Sequence, residues 1–276
     1  MKKQKILVSV FIFIVFSSQI YSQRANSNST NQVELETILK KCAEYCNKIE
    51  NSALYFVCSE RIKEEIVINP EFELGTIKVF AEKERNEYVY DYQLIKKGND
   101  IKESRTLVEE NGEKKKEKDA PLKTKRFFSL RSVFGPVGLL RKEFQESYDY
   151  KLSKEDKIEG RKAYVIEAIP KKSLEEKPNY GKLWVDKEDF SVLKIEIAQD
   201  SLVDYESYVE ELKKKGVRPV FTTVHYYRIE KKGIRFPSKT VFMEVYSYMG
   251  KRSQLSRTVV EYTDYKFFTV EYEVKY

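Results

Sequence analysis

From Leu54 onward the chain alternates apolar and polar residues with a period of two, segment after segment. Strand side chains point to opposite faces in turn, so this pattern commits the chain to sheets with one buried face. Leu54-Tyr55-Phe56-Val57-Cys58 opens the series with aromatic and branched residues that fit a pleated surface. Glu87 to Ile95 forms the next strand, Lys97-Gly98-Asn99-Asp100 its turn, and Ile101 to Glu109 the returning partner. Asn111-Gly112 signals a further turn. Short strands follow at Tyr148 to Leu152, Lys162 to Ile169, Gly181 to Asp186 and Ser191 to Ile197, and long ones at Val220 to Glu230, Ile234 to Tyr246 and Ser253 to Val274. Such a series with short polar turns specifies a large antiparallel sheet or barrel.

Four stretches break the rhythm. Leu35, Ile38, Leu39, Cys42, Tyr45, Cys46 and Ile49 recur at three- and four-residue steps and predict an amphipathic helix, with Asn31 and Glu34 as a capping box. Glu113 to Lys118 is a charged run, read as a solvated loop. Residues 124–145 form an apolar helical insert, in which Gly135-Pro136-Val137-Gly138 hinges two short helices, since Pro fits a first helical turn. Leu202 to Lys215 predicts a short helix that ends at Gly216.

The N-terminus carries an address. Lys2, Lys3 and Lys5 precede an apolar run from Ile6 to Phe16, too short to span a bilayer comfortably, and Ser17 to Ser22 is small and polar. This reads as a signal peptide over 1–22, cleaved after Ser22, with a flexible polar leader over 23–30 and a single domain over 31–276. No cysteine closely follows the apolar run, which argues against a lipid-modified N-terminus. Removing three lysines from a net charge of +7 leaves 7 − 3 = +4, and the basic residues are interspersed with 44 acidic ones, so nothing demands nucleic acid. The protein is expected to be exported and periplasmic.

Enzyme chemistry is thin. The single histidine, His225, sits in a strand pattern, and there is no Gly-x-Ser-x-Gly elbow, Walker loop or Gly-x-Gly-x-x-Gly. The Gly-x-x-Gly at 135–138 is a weak KH-like form in β-rich surroundings. One His and three Cys do not suggest a zinc site, no cofactor motif is present, and no pair of carboxylates stands out for glycoside hydrolysis; Asp186 and Asp189 flank a turn where acids are expected. The expectation is a protein that is not an enzyme and has no metal or cofactor. The cysteines leave two readings open. Cys58 bridges to Cys42 or Cys46 in an oxidising compartment, or all three are buried small hydrophobes.

Gly181-Lys182-Leu183-Trp184-Val185-Asp186-Lys187-Glu188-Asp189-Phe190-Ser191-Val192-Leu193-Lys194-Ile195-Glu196 resembles a hairpin of the bacterial outer-membrane lipoprotein-sorting proteins, the LolA/LolB-like group. In this hairpin Trp184 is expected to face the core, with Lys187 to Asp189 as the turn. Tyr88 to Asn111 is similar to an early hairpin of that group, and Gly233-Ile234-Arg235-Phe236-Pro237-Ser238 to the opening of a late strand. The chain departs from the group at Leu202 to Lys215 and in its cysteines. The resemblance implies a mainly β (α+β) fold: a strongly curved antiparallel sheet forming an incomplete barrel, with an N-terminal helix and short helices over its concave opening. It further implies a carrier of lipid or lipoprotein acyl chains with transient membrane contact, or, on the same scaffold, a sensor that binds an envelope protein. As a lid, Phe127, Phe128, Leu130, Val133, Phe134, Val137, Leu139 and Leu140 would meet acyl chains and Gly135, Pro136 and Gly138 would hinge; the competing reading makes this stretch plain core.

Overall fold

The computed structural model describes residues 32–51, 55–68, 71–73, 76–78, 82–97, 100–127, 134–172, 178–202 and 205–268. The expected signal peptide over 1–22 and leader over 23–30, Asn31 of the capping box, and Phe128, Leu130 and Val133 lie outside them. The chain forms two compact units, Met1–Lys41 and Cys42–Tyr276. In the first, residues 32–41 are helical, with Gln32 bonded to Glu36 and the Thr37 hydroxyl to the Val33 carbonyl. That helix, α1 over 32–51, ends in the second unit, where Cys42, Tyr45, Cys46 and Ile49 form its buried stripe at the expected spacing.

The second unit is built on strands β1 (Tyr55–Val67), β2 (Glu71–Glu73), β3 (Thr76–Lys78), β4 (Lys83–Lys97), β5 (Asp100–Glu110) and β6 (Glu113–Glu117). Helices α2 (Gly135–Leu140) and α3 (Lys142–Gln145) follow, then β7 (Tyr148–Leu152), β8 (Asp156–Ile158), β9 (Arg161–Pro170), β10 (Gly181–Asp186) and β11 (Val192–Ile197). Helix α4 (Tyr205–Lys214) precedes β12 (Val217–Tyr226), β13 (Ile229–Lys231), β14 (Ile234–Phe236), β15 (Lys239–Tyr248) and β16 (Lys251–Phe267). One 12-stranded antiparallel sheet runs β6-β5-β4-β1-β16-β15-β12-β11-β10-β9-β7, with β8 also on β9. It does not close into a barrel: β6 lies at one end of the order and β7 at the other. The pairing register shifts at Val57/Ser59, Val89/Tyr90, Trp184/Val185 and Glu244/Val245, the kind of irregularity at which strands bend.

Several expectations need correcting. Glu113–Glu117 is strand β6, not a solvated loop: Asn111 and Gly112, both at positive φ, make a two-residue turn that returns the chain along β5. Every β6 side chain is exposed, and this charge suits an edge that must not pair with another chain. Two of the long strands expected in the last third are each split. β12 stops at Tyr226, the Tyr227 N–H turns to the Leu193 carbonyl, and β13 pairs with β14 in a separate hairpin. Pro237, with no N–H to donate, separates β14 from β15. Trp184 is buried in a core cluster, as expected, on the face opposite Leu183. It packs with Ala163, Val165 and Leu193 and donates to Asp156 Oδ2 at 2.9 Å, while Lys194 Nζ lies 3.7 Å from its ring centroid.

Candidate functional site

Alternation selects the buried face strand by strand, and register aligns it. Tyr88, Ile62, Val260, Thr240, His225, Ile195, Leu183 and Ile166 stand directly opposite one another across β4, β1, β16, β15, β12, β11, β10 and β9, and all are buried. The row is apolar except at Thr240 and His225, which satisfy each other: His225 Nδ1 lies 2.9 Å from Thr240 Oγ1. Burial pushes the His225 pKa down to about 4, so its ring is neutral at ordinary pH.

Two residues further along each strand, on the same face, the row changes character. Glu64, Thr258, Phe242 and Thr223 are opposed across β1, β16, β15 and β12. Phe242 is flanked by Phe221 and by Phe127, with ring centroids at 6.3 and 6.1 Å. The hydroxyls of Thr223 and Thr258 are buried and have no hydrogen-bond partner among the described residues. Glu64 is buried at 2% exposure, and its carboxylate accepts the backbone N–H groups of Lys125 at 3.0 Å and Arg126 at 3.1 Å. This fastens the segment leading into the apolar insert. One row further, Glu244 accepts from Tyr208 Oη and Ser256 Oγ, both at 3.0 Å, with Arg126 Nε at 4.0 Å. Buried carboxylates thus lie in two successive rows, Glu64 beside Thr258 in one and Glu244 between Ser256 and Phe221 in the next.

Helix α2 lies against the apolar row at β11. Its Gly135 has no room for a side chain: a Cβ there would meet Tyr227 Oη at 2.5 Å and Ile195 Cδ1 at 3.2 Å. Pro136 occupies the first turn as expected, and Pro136, Val137, Leu139 and Leu140 are buried. Polar side chains fasten the helix by its carbonyls. Cys46 Sγ donates to Pro136 O at 3.5 Å and Tyr150 Oη to Leu139 O at 2.5 Å, while the Tyr148 hydroxyl lies 3.0 Å from Asn179 O and 3.5 Å from Gly138 O. Arg141 follows in extended backbone, breaks α2 from α3, and pairs with Glu50 of α1 at 2.9 Å. The break between the described helices is thus at Arg141, where nothing in the sequence marked it.

The predicted site residues divide accordingly. Phe127, Val137, Leu139 and Leu140 are buried and Phe134 is half-buried. Gly138 is exposed, and a Cβ added there would meet nothing within 4 Å, unlike one at Gly135. Cys42, Cys46 and Cys58 carry free, buried thiols. Burial raises their pKa values, that of Cys42 to about 12. Asp186 and Asp189 build the β10–β11 turn. Asp186 accepts the Glu188 N–H at 2.8 Å and pairs with Arg161, and Asp189 accepts from the N–H and hydroxyl of Ser191. Burial alone would raise the Asp186 pKa, but Arg161 and the Glu188 N–H outweigh it and hold the carboxyl below its usual range. The rows of Thr223, Thr258, Glu64 and Glu244 escaped sequence reasoning, because a lone Thr or Glu inside an alternating strand reads equally well as solvent-facing. Among the described residues no group of three or more His, Cys, Asp or Glu could hold a metal, and no helix is long and apolar enough to cross a membrane.

A family model described as an uncharacterized protein matches residues 137–272, and no curated protein matches the chain. Among solved structures, a LolA superfamily protein from Nitrosomonas europaea is 17% identical with a TM-score of 0.38, over 84% of this chain and 94% of that one. The chain is similar to LolA-superfamily structures. A second such likeness, to an outer-membrane lipoprotein-sorting protein domain from Vibrio parahaemolyticus, has 12% identity and a TM-score of 0.39 over 85% and 95% of the two chains. The MucA/MucB complex of Pseudomonas aeruginosa contains a chain with 12% identity and a TM-score of 0.22, covered to 99% by 85% of this one.

Proposed function

We propose that this protein is exported to the periplasm and binds acyl chains of lipid or lipoprotein along the buried face of its open sheet, as a carrier rather than an enzyme. The observation that carries this reading is the continuous row from Tyr88 to Ile166, in register across a sheet that does not close. Acyl chains would be held by burial of apolar area, worth about 25 cal/mol per Å². A carrier must also let go, so the cover over such a row has to be removable. A six-residue helix such as α2 is too short to be stable by itself and exists only while docked. Side-chain bonds to its carbonyls and the partly exposed Arg141–Glu50 pair are contacts that individually cost little to break. In this reading Phe127, Phe134, Val137, Leu139 and Leu140, with Phe128, Leu130 and Val133 of the adjoining segment, give way to the ligand's hydrocarbon, and Gly135 and Pro136 serve as the pivot.

Native mass spectrometry of the mature protein, purified gently from its own envelope, tests this. Bound lipid or acylated peptide that is lost on denaturation supports the carrier and identifies the cargo. A bare mass, with no uptake of added lipopeptide, overturns it and turns attention to an envelope protein as the partner. Leu139→Glu should abolish uptake with the fold retained; a folded variant with unchanged uptake removes α2 from the site.

A further inference from the structure

We propose that the end of the sheet formed by the β15–β16 turn and the C-terminus of α4 docks on an anionic membrane surface, with Met249 entering the lipid. This surface lies apart from the buried face and stands whether or not that face takes acyl chains. Four strand pairs turn on two residues, both at positive φ and the second a glycine: Asn111-Gly112, Glu159-Gly160, Lys232-Gly233 and Met249-Gly250. The first position favours Asn or Asp, and in three of the turns it holds an exposed polar side chain. In the fourth it holds Met249, which is 71% exposed, more than any other large apolar side chain among the described residues. Methionine is not a residue that this turn prefers, and its side chain reaches no core. Neither the turn nor the packing accounts for it.

Cations ring this tip. Tyr248 and Lys251 close the turn, and one residue back Arg218, Ser247 and Arg252 stand opposite one another across β12, β15 and β16. Helix α4 ends beside them. Leu212 and Val217 pack with Tyr246 and Leu255, and a Cβ on Gly216 would lie 3.4 Å from the Tyr248 ring. This brings Lys213 and Lys214, in the last turn of α4, to the same end of the sheet. Among the described residues Lys215 pairs with Glu211 at 3.6 Å, but Lys213, Lys214, Arg218, Lys251 and Arg252 make no ion pair, and all five are exposed. The helix dipole gives a reason for lysines in a last helical turn. It gives none for Arg218, Lys251 and Arg252, which lie on strands. An apolar apex with unpaired cations set behind it matches the layers of an anionic bilayer, hydrocarbon beneath phosphate. An acidic protein would answer the cations but not an apolar residue placed ahead of them.

Flotation of the mature protein with vesicles tests this, comparing equal parts phosphatidylglycerol and phosphatidylcholine with phosphatidylcholine alone. Binding should require the anionic lipid and weaken as salt is added. K251Q/R252Q should weaken it roughly twentyfold, at about fivefold per cation. Met249→Asn suits the turn at least as well and should keep full stability to urea, yet weaken vesicle binding about tenfold. K114Q/K116Q, on the exposed edge strand β6, should leave binding unchanged. A loss in that variant equal to that in K251Q/R252Q would mean adsorption by net charge and overturn the proposal. Equal binding to both kinds of vesicle, or full binding by Met249→Asn, overturns it too. Binding of polyglutamate but not of the anionic vesicles overturns it in favour of an acidic protein partner. Acyl uptake, read separately with lipopeptide, is untouched by any of these results.

Discussion

Gly135 and Gly138 look alike in the sequence, three residues apart around one proline, and the structure separates them. A Cβ on Gly135 would come within 2.5 Å of Tyr227 Oη and 3.2 Å of Ile195 Cδ1. Tyr227 is 1% exposed, and a rigid ring packed on all sides cannot swing away. Gly135→Ala must therefore lift α2 off the sheet or strain the core, which costs about 1–3 kcal/mol. The helix-propensity gain of up to about 1 kcal/mol offsets part of this. The net expectation is a loss of about 1–2 kcal/mol, or a Tm roughly 3–6 °C lower. At Gly138, inside the same helix, a Cβ meets nothing within 4 Å. Gly138→Ala should collect the propensity term alone and stabilise by about 0.5–1 kcal/mol. Urea titration followed by tryptophan fluorescence reads both, since Trp184 is the sole tryptophan. If α2 gates the site, Gly135→Ala also releases a bound acyl probe faster, whereas Gly138→Ala does not. A Gly135→Ala protein as stable as the wild type, beside a stabilised Gly138→Ala, would show that α2 is not seated against Tyr227.

Arg105 donates two bonds to Glu60, at 2.6 and 3.1 Å, where both are buried; Arg105→Met strands the carboxylate and should cost about 3–5 kcal/mol, while Glu60→Leu with Arg105→Met should recover most of it in the same urea assay. His225 has its pKa lowered from 6.5 to about 4, so between those values the unfolded chain takes up a proton that the folded one refuses; stability is full above pH 6.5 and falls toward pH 4 by roughly 3 kcal/mol. NMR titration of this single histidine should show no imidazole transition near pH 6.5, and His225→Gln should remove that part of the pH slope. Glu64→Ala deletes the acceptor of the Lys125 and Arg126 N–H groups, and trypsin cleavage after those residues should quicken about tenfold, the equivalent of 1.4 kcal/mol of lost local stability; an unchanged cleavage rate would mean that the segment is held by something else.

Local rules carried much of the fold. Period-two alternation located Gly181–Asp186 and Tyr148–Leu152 to the residue, and Asn111-Gly112 located a hairpin, because pleat and turn geometry are set by near neighbours. The stripe of Cys42, Tyr45, Cys46 and Ile49 likewise declared its helix and its buried side. What the local pattern could not decide was which strand lies beside which and, for each polar residue in an alternating run, on which face it ends. Lys114 and its charged neighbours became a strand because the turn before them returned the chain to β5. Trp184 is in the core as expected, but the cluster it joins, with Ala163, Val165 and Leu193 on the face opposite Leu183, was not legible in the sequence. Thr223 and Thr258, 35 residues apart in the chain, share a row only because β15 pairs with both β12 and β16 in one register. Alternation fixes the face of a side chain relative to its own strand. The burial of that face, and the company each side chain keeps there, follow from contacts between residues far apart in sequence, and those exist only once the sheet has assembled.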